Sequence, residues 1–222
     1  IQDGDVKTVL FDDGKGGQDP GKGRGDERHA SGIIVKIGGR NGKEMTFFSK
    51  EIIGAGGYRC PVAKSLVEDS YEENMVDRTH YCGGYREYWK NVKGCTENVG
   101  DIEIHFVDSV VPGYFWLFPV SEGVVNVGIG MVMSLMDKQK KKLKAMQKDV
   151  IANHPLFKER FSEAEMIPGS AKGWQLPFGS PRKKTKLQPR RNTMNGIRLV
   201  GDAASLVDPF SGEGVGNALV SG

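Results

Sequence analysis

At 222 residues the chain can form one large domain or two small ones. Its 31 basic and 28 acidic side chains leave +3, too little by itself to signal a nucleic-acid partner, and its 38% hydrophobic and 27% charged residues are those of an ordinary globular protein. No apolar run reaches the roughly 18 residues of a membrane-spanning helix, no basic-then-apolar leader opens the chain, and Cys60, Cys82 and Cys95 form no C-x-x-C, which argues against a disulfide framework or zinc ribbon and suits a reducing compartment.

Along the chain, residues 1–11 alternate as a strand ending at Val9-Leu10-Phe11. Residues 12–31, rich in Gly, Asp, Lys and Arg, read as a mobile loop. Ile33 to Ile37 and Met45 to Ile53 predict two strands around Gly38-Gly39-Arg40-Asn41-Gly42. The second runs into Gly54-Ala55-Gly56-Gly57, and Pro61 opens a short helix to Val67. Tyr71 to Val92 is aromatic-rich and extended. Ile102 to Phe106 alternates as a half-buried strand, and Tyr114 to Pro119 and Val124 to Gly130 add two more, joined through Glu122-Gly123. Together these predict an antiparallel sheet.

Lys138 to Asn153 is the clearest helix, with Leu143, Met146, Val150 and Ile151 on one face and Asp137 as its cap. Pro155 ends it or begins the next turn. Residues 179–196 are polar and basic, and Ile197 to Val200 is a short buried strand. The chain starts with Ile1 and stops at Gly222 within an apolar helical run from Gly214, so it reads as a fragment of a longer protein.

The excess is in glycine, 31 residues, about twice the usual share. Such an excess means many tight turns or backbone brought close to a ligand. Gly201-Asp202 ends the buried strand and sets a carboxylate at its carboxyl end, where α/β folds bind ligands. A loop through Pro209 follows. Gly212, Gly214 and Gly216 then open a helix, whose N–H groups suit an electron-rich ligand edge. Tyr114, Trp116 and Phe118 share one face of their strand, and from spacing alone an ordinary aromatic core strand is the plainer reading.

The run from Gly201 to Leu219 resembles the second flavin-binding motif of FAD-dependent oxidoreductases of the p-hydroxybenzoate hydroxylase type. Gly54-Ala55-Gly56-Gly57 resembles that family's G-A-D-G segment, with Gly56 where the family has Asp. Tyr114-Phe115-Trp116-Leu117-Phe118-Pro119, followed by Gly128-Ile129-Gly130, resembles the Y-x-W-x-F-P…G-x-G motif of geranylgeranyl reductases. The resemblance implies an α/β protein with α+β character: part of a Rossmann-like FAD-binding domain plus an antiparallel substrate sheet with helices. It divides the chain into 1–67, a partial FAD-binding domain; 68–196, the substrate domain; and 197–222, a return to the FAD-binding domain.

It implies flavin contacts at Gly54, Gly57, Gly201, Asp202, Pro209, Gly212, Gly214, Val215, Gly216 and Asn217. The implied substrate wall is Tyr114, Trp116, Phe118, Pro119, Gly128 and Gly130. The implied reaction is reduction of carbon–carbon double bonds in a prenyl chain, with FAD as cofactor and NADPH, NADH or ferredoxin as electron donor. A flavin monooxygenase or halogenase acting on an aromatic compound, and a degenerate non-catalytic fragment, are the alternatives. The family's N-terminal G-x-G-x-x-G is absent, and Gly14-Lys15-Gly16-Gly17 and Gly21-Lys22-Gly23-Arg24-Gly25 follow no βα unit. This chain alone is therefore expected to hold FAD poorly and to be inactive.

The expected setting is cytoplasmic, with peripheral membrane contact suggested by Lys138, Lys140, Lys141, Lys142, Lys144 and Lys148; a solvated helix face is the plainer reading. Arg182, Lys183, Lys184, Lys186, Arg190 and Arg191 offer the same choice. His29, His80, His105 and His154 have no metal-ligand spacing, and no catalytic acid can be nominated. Cys60, Cys82 and Cys95 each read as inert rather than reactive, and Cys82, in an aromatic, glycine-flanked strand, is the one candidate for a reactive thiol.

Overall fold

The computed structural model describes residues 4–12, 18–19, 28–95, 101–120, 123–182 and 190–222. The expected loop tract around Gly14–Gly17 and Gly21–Gly25, and Lys183 to Pro189 of the basic segment, lie outside the described residues. The strands in chain order are β1 (Gly4–Asp12), β2 (Gln18–Asp19), β3 (Ala30–Ile37), β4 (Lys43–Phe48), β5 (Ile52–Gly54), β6 (Tyr81–Lys90), β7 (Glu103–His105), β8 (Tyr114–Pro119), β9 (Val124–Val132), β10 (Glu165–Met166), β11 (Lys172–Pro177), β12 (Thr193–Met194) and β13 (Ile197–Leu199). The helices are α1 (Pro61–Lys64), α2 (Met133–Gln139), α3 (Leu143–Asn153), α4 (Pro155–Arg160) and α5 (Val215–Ser221). This is the mixed α/β architecture expected from the sequence.

The chain divides into two compact units, one of residues 1–77 with 177–222, the other of residues 78–176. The first unit holds an antiparallel sheet in the order β2-β1-β3-β4 and a second sheet in the order β12-β13-β5. Strand β13 runs parallel to β5, with Leu199 opposite Gly54. The core of this unit joins Val9 and Phe11 of β1 to Val62, Ala63, Leu66 and Val67 and to Ile197 and Leu199. The expected strand from Met45 to Ile53 is two strands in two sheets. Ser49 breaks it: its hydroxyl donates to the Glu51 carbonyl (2.6 Å), and its side-chain oxygen accepts from the Glu51 N–H (3.3 Å). The short helix from Pro61 forms as expected, then widens into a π-helical turn over Ser65–Ser70.

The second unit is built on one antiparallel sheet, β10-β6-β9-β8-β7, with β11 also paired to β6. Its register puts Trp116 opposite Gly128 and Tyr114 opposite Gly130. One face of this sheet packs on α3 and α4. Phe115, Leu117, Val125, Val127, Ile129 and Met131 are fully buried there, with Val150 and Phe157 over them. The helical reading needs a correction. Residues 133–153 form two helices, not one, because Lys140 adopts a left-handed conformation (φ 51) and closes α2. Asp137 is not a cap but sits in the last turn of α2, held by both Arg78 Nε (2.5 Å) and Arg78 Nη2 (2.6 Å). The apolar face of α3 is as expected, with Leu143 and Val150 buried.

Strand β7 also corrects the sequence reading. Its alternation is present, but its apolar residues face outward: Ile102, Ile104 and Phe106 are exposed, while Glu103 and His105 turn inward. The inward pair is stabilised by charge. Glu103 accepts Arg160 Nη1 (2.6 Å), Arg160 Nη2 (2.7 Å) and a contact from His105 Nε2 (2.8 Å). The guanidinium fork is the first cause that holds the Glu103 carboxyl down at about 2.

Candidate functional site

In the first unit the parallel pairing of β5 and β13 brings two glycine-rich turns to one sheet edge. The Val200 N–H donates to the Gly54 carbonyl (3.1 Å), so Gly54–Gly57 and Gly201–Ala204 emerge side by side. Gly54 is buried and needs its missing side chain for packing, since a Cβ there would stand 2.6 Å from Leu199 Cδ2. Gly57 and Gly201 instead adopt positive φ values of 71 and 54, which β-carbon sterics oppose.

Asp202 follows directly. Its carboxylate is half-buried and meets no hydrogen-bond partner among the described residues, and burial pushes its acid above the usual carboxylate range. A half-buried carboxylate with no donor from the described residues is free to accept one from a ligand. The next loop is self-contained. Asp208 Oδ1 accepts the Ser211 N–H (2.7 Å), the Ser211 hydroxyl (2.7 Å) and the Phe210 N–H (3.1 Å), and these bonds hold its carboxyl below the usual range. Pro209 on that loop is exposed.

At the start of α5, Gly212 takes a positive φ of 74, and Gly214 leaves a gap where a Cβ would sit 3.6 Å from Asp202 Oδ1. The helix start is less open than its glycines suggest. Glu213 Oε1 accepts the Gly216 N–H (2.6 Å), so a carboxylate of the chain already caps that donor. Asn217 is likewise engaged, its side-chain N–H donating to the Leu206 carbonyl (2.7 Å). Val215 is exposed.

Two residues that sequence reasoning did not assign to this region fix it in place. Ser221 Oγ accepts the Gly201 N–H (3.0 Å), which ties α5 to the turn. Arg190 is buried at 2% exposure; it donates to the Met75 carbonyl (3.1 Å) and to the Ala203 carbonyl. Arg190 is thus a core anchor and not part of a solvated basic face. Arg182 is buried as well, and Arg191 lies over the Tyr71 ring at 4.1 Å. Their sequence neighbourhood is polar, which hid the burial of the first two.

In the second unit, Tyr114, Trp116 and Phe118 stand on the sheet face opposite the helices, partly exposed. Tyr114 meets Trp116 edge-on (5.9 Å), and Trp116 stacks on Phe118 (5.9 Å, 27°). The core alternative fails for these three because Phe115 and Leu117 take the inward positions. Trp116 lies flat over Gly128: a Cβ there would come within 2.1 Å of its Cζ2. Gly130 lies beside it, with Cys82 Sγ and Trp116 Cζ3 above. Pro119 ends the row, partly exposed. The outward side chains of residues 102–106 widen the face, with Phe106 meeting Tyr114 edge-on at 6.3 Å. Ile104 lies opposite Trp116 in register.

Cys82 borders this face, but burial pushes its thiol up to about 11, so near neutral pH it is not a thiolate nucleophile. His105 is occupied by Glu103 and edge-on to Phe157 (4.9 Å). Among the described residues no group of three or more His, Cys, Asp or Glu is placed to hold a metal ion.

Residues 80–169, nearly all of the second unit, match the geranylgeranyl reductase catalytic domain. The chain is 37% identical over 118 residues to a digeranylgeranylglycerophospholipid reductase of Thermoplasma volcanium, covering 53% of this chain and 26% of that protein. It is 30% identical over 183 residues to digeranylgeranylglycerophospholipid reductase 1 of Methanococcoides burtonii, covering 82% and 39%. In these alignments the chain spans between about a quarter and two fifths of the curated relatives. A geranylgeranyl bacteriochlorophyll reductase-like protein of Thermoplasma acidophilum shares the fold at a TM-score of 0.69, with 22% identity over 98% of this chain and 45% of that one.

Proposed function

Because the chain belongs to the geranylgeranyl reductase family, we propose that it acts in an FAD-dependent reductase that saturates carbon–carbon double bonds of an isoprenoid chain. The observation that carries this reading is the open aromatic face of the second unit. Three aromatic rings and the outward Ile102, Ile104 and Phe106 form a broad apolar surface while Phe115 and Leu117 fill the core. An isoprenoid is long, apolar and planar at each double bond, so it gains by covering such a surface at about 25 cal/mol per Å² of apolar area removed from water.

The first unit fits a flavin. Asp202 offers a carboxylate without a donor, the complement of the hydroxyls of a ribityl chain. Gly54, Gly57 and Gly201 bring backbone close beside it, and Pro209 with Gly212 to Asn217 would lie against the ring system. The Glu213 cap removes one helix N–H from that role and leaves the glycine surface. When bound, FAD supplies the hydride chemistry. The chain's own residues bind and orient: Asp202 fixes the cofactor's polar arm, and Tyr114, Trp116 and Phe118 hold the substrate and exclude water. NADPH, NADH or ferredoxin would reduce the cofactor.

Peripheral contact with an anionic membrane belongs to the same reading. Lys138, Lys140, Lys142, Lys144 and Lys148 are exposed around the α2–α3 junction. Lys141 Nζ donates to the Ser109 carbonyl (2.6 Å), close in sequence to Val111, which is 47% exposed. Basic side chains beside apolar ones are the pairing an anionic lipid surface attracts. No helix among the described residues is long and apolar enough to cross a membrane.

The test uses the complete native polypeptide. Its visible spectrum should be that of a flavin, with FAD released on denaturation, and a geranylgeranyl lipid should gain two hydrogens per reduced bond when the flavin is kept reduced. Oxygen-dependent turnover of an aromatic compound would instead favour a monooxygenase or halogenase, and a native protein that never holds flavin would end the enzyme reading. Flotation with vesicles containing anionic lipid at low salt should carry the protein upward; no binding there removes the membrane proposal alone.

A further inference from the structure

We infer that Asn126 is the positioning residue of the aromatic face, which it keeps fit for an apolar ligand by taking up the Trp116 indole N–H. Asn126 lies on β9, two residues from Gly128 and opposite Phe118 in register. Trp116 Nε1 donates to Asn126 Oδ1 at 3.1 Å. Four contacts therefore set the indole: Gly128 below it, Tyr114 edge-on to it, Phe118 stacked beside it, and Asn126 holding one edge. The first three tolerate a ring turned over about its own axis. Only the hydrogen bond tells the two edges apart.

The bond has a second consequence, which rests on the reading of this face as the isoprenoid wall. An isoprenoid offers no acceptor. A ligand that covers Trp116 strips water from the indole N–H, and a buried donor without a partner is costly. Asn126 supplies the acceptor from inside the protein, so the face can be covered without that loss. Nothing in the aromatic and glycine pattern calls for an Asn at this place in the strand, and Asn is depleted in strands.

The variants are Asn126→Leu, which keeps size and removes the acceptor, and Asn126→Asp, which keeps an oxygen in place. Both are made in the full native chain, and folding is checked by thermal unfolding. Without substrate, proton–nitrogen NMR of labelled tryptophan reads the Trp116 Nε1–H: its hydrogen exchange should quicken by about tenfold in Asn126→Leu and stay slow in Asn126→Asp. With a geranylgeranyl lipid, Asn126→Leu should raise KM by about tenfold and change kcat by less than about threefold. On a Trp116→Phe background, which has no N–H to satisfy, the same change should leave KM within about twofold. An unchanged indole exchange rate, or an equal KM penalty on both backgrounds, overturns the inference. If the wild-type chain reduces no isoprenoid, the functional reading fails, and the exchange measurement still decides whether Asn126 positions Trp116.

Discussion

Both candidate regions are rich in glycine, yet the two sets are needed for different reasons. In the first unit Gly57, Gly201 and Gly212 serve the backbone, each at a positive φ that lets the chain turn sharply at a strand end or helix start. In the second unit Gly128 serves a side chain, since the Trp116 ring occupies the space where its Cβ would be. The first kind of glycine shapes a turn that brings a carboxylate and backbone together. The second lets an aromatic ring lie flat and remain partly open. A polar ligand arm suits the former and an apolar chain the latter.

The sharpest way to break this contrast is at Gly128. Gly128→Val places atoms inside the Trp116 ring, so the ring must leave its place; we expect a loss of about 3 kcal/mol in urea unfolding. The indole N–H should also lose its Asn126 partner. A loss below about 1 kcal/mol would mean the ring is free to move and the face is not built around it.

The turn in the first unit is tested through Arg190. Arg190→Met keeps most of the volume but leaves the Met75 and Ala203 carbonyls without that donor. The expected cost is about 2–3 kcal/mol, read as a lower urea midpoint at unchanged slope. Flavin retention by the native protein should fall with it, because Ala203 belongs to the same turn as Asp202. Full retention at the lower stability would separate the anchor from the site.

Much of this was legible in the residues themselves. Alternation in β8 and β9, the strand-to-glycine turn at Gly201-Asp202 and the apolar face of α3 follow from periodicity and turn chemistry. Alternation alone does not say which face is inside. In β7 the sequence pattern is correct and its direction is reversed, because Arg160, far along the chain, makes it favourable to turn Glu103 inward. The break at Lys140 and the burial of Arg190 were hidden for a related reason. A run of lysines and a polar neighbourhood look solvated, and only tertiary contacts reveal where one member is used.

That inward-facing charge has its own test. With the Glu103 carboxyl held at about 2 in the fold, against an ordinary value of 4.5, its contribution is fully present above the ordinary value and is lost as pH falls from there toward about 2. Glu103→Gln should lower stability at neutral pH by about 2 kcal/mol, reduced from a fully buried pair because the side chains are partly exposed. The gap between wild type and variant should narrow as pH drops through that window. A gap that is constant with pH would assign the loss to packing.

The smallest effect distinguishes the two regions most directly, because stability and function should move in opposite directions. Asp202 has the opposite sign to Glu103: burial raises its acid and nothing in the described chain offsets it, so the ionised form disfavours folding above that raised value. Asp202→Asn removes the charge at nearly the same shape. We expect a gain of less than about 1 kcal/mol at neutral pH, discounted because the group is only half-buried, and it should disappear as pH falls into the acid range. Flavin bound to the native protein should weaken by about tenfold in the same variant, since the carboxylate would lose charge-assisted bonds to ribityl hydroxyls. A variant that is more stable and holds flavin less well marks Asp202 as a residue kept for a ligand. A variant that loses stability would instead show that its carboxylate supports the turn, as Asp208 supports the loop that follows.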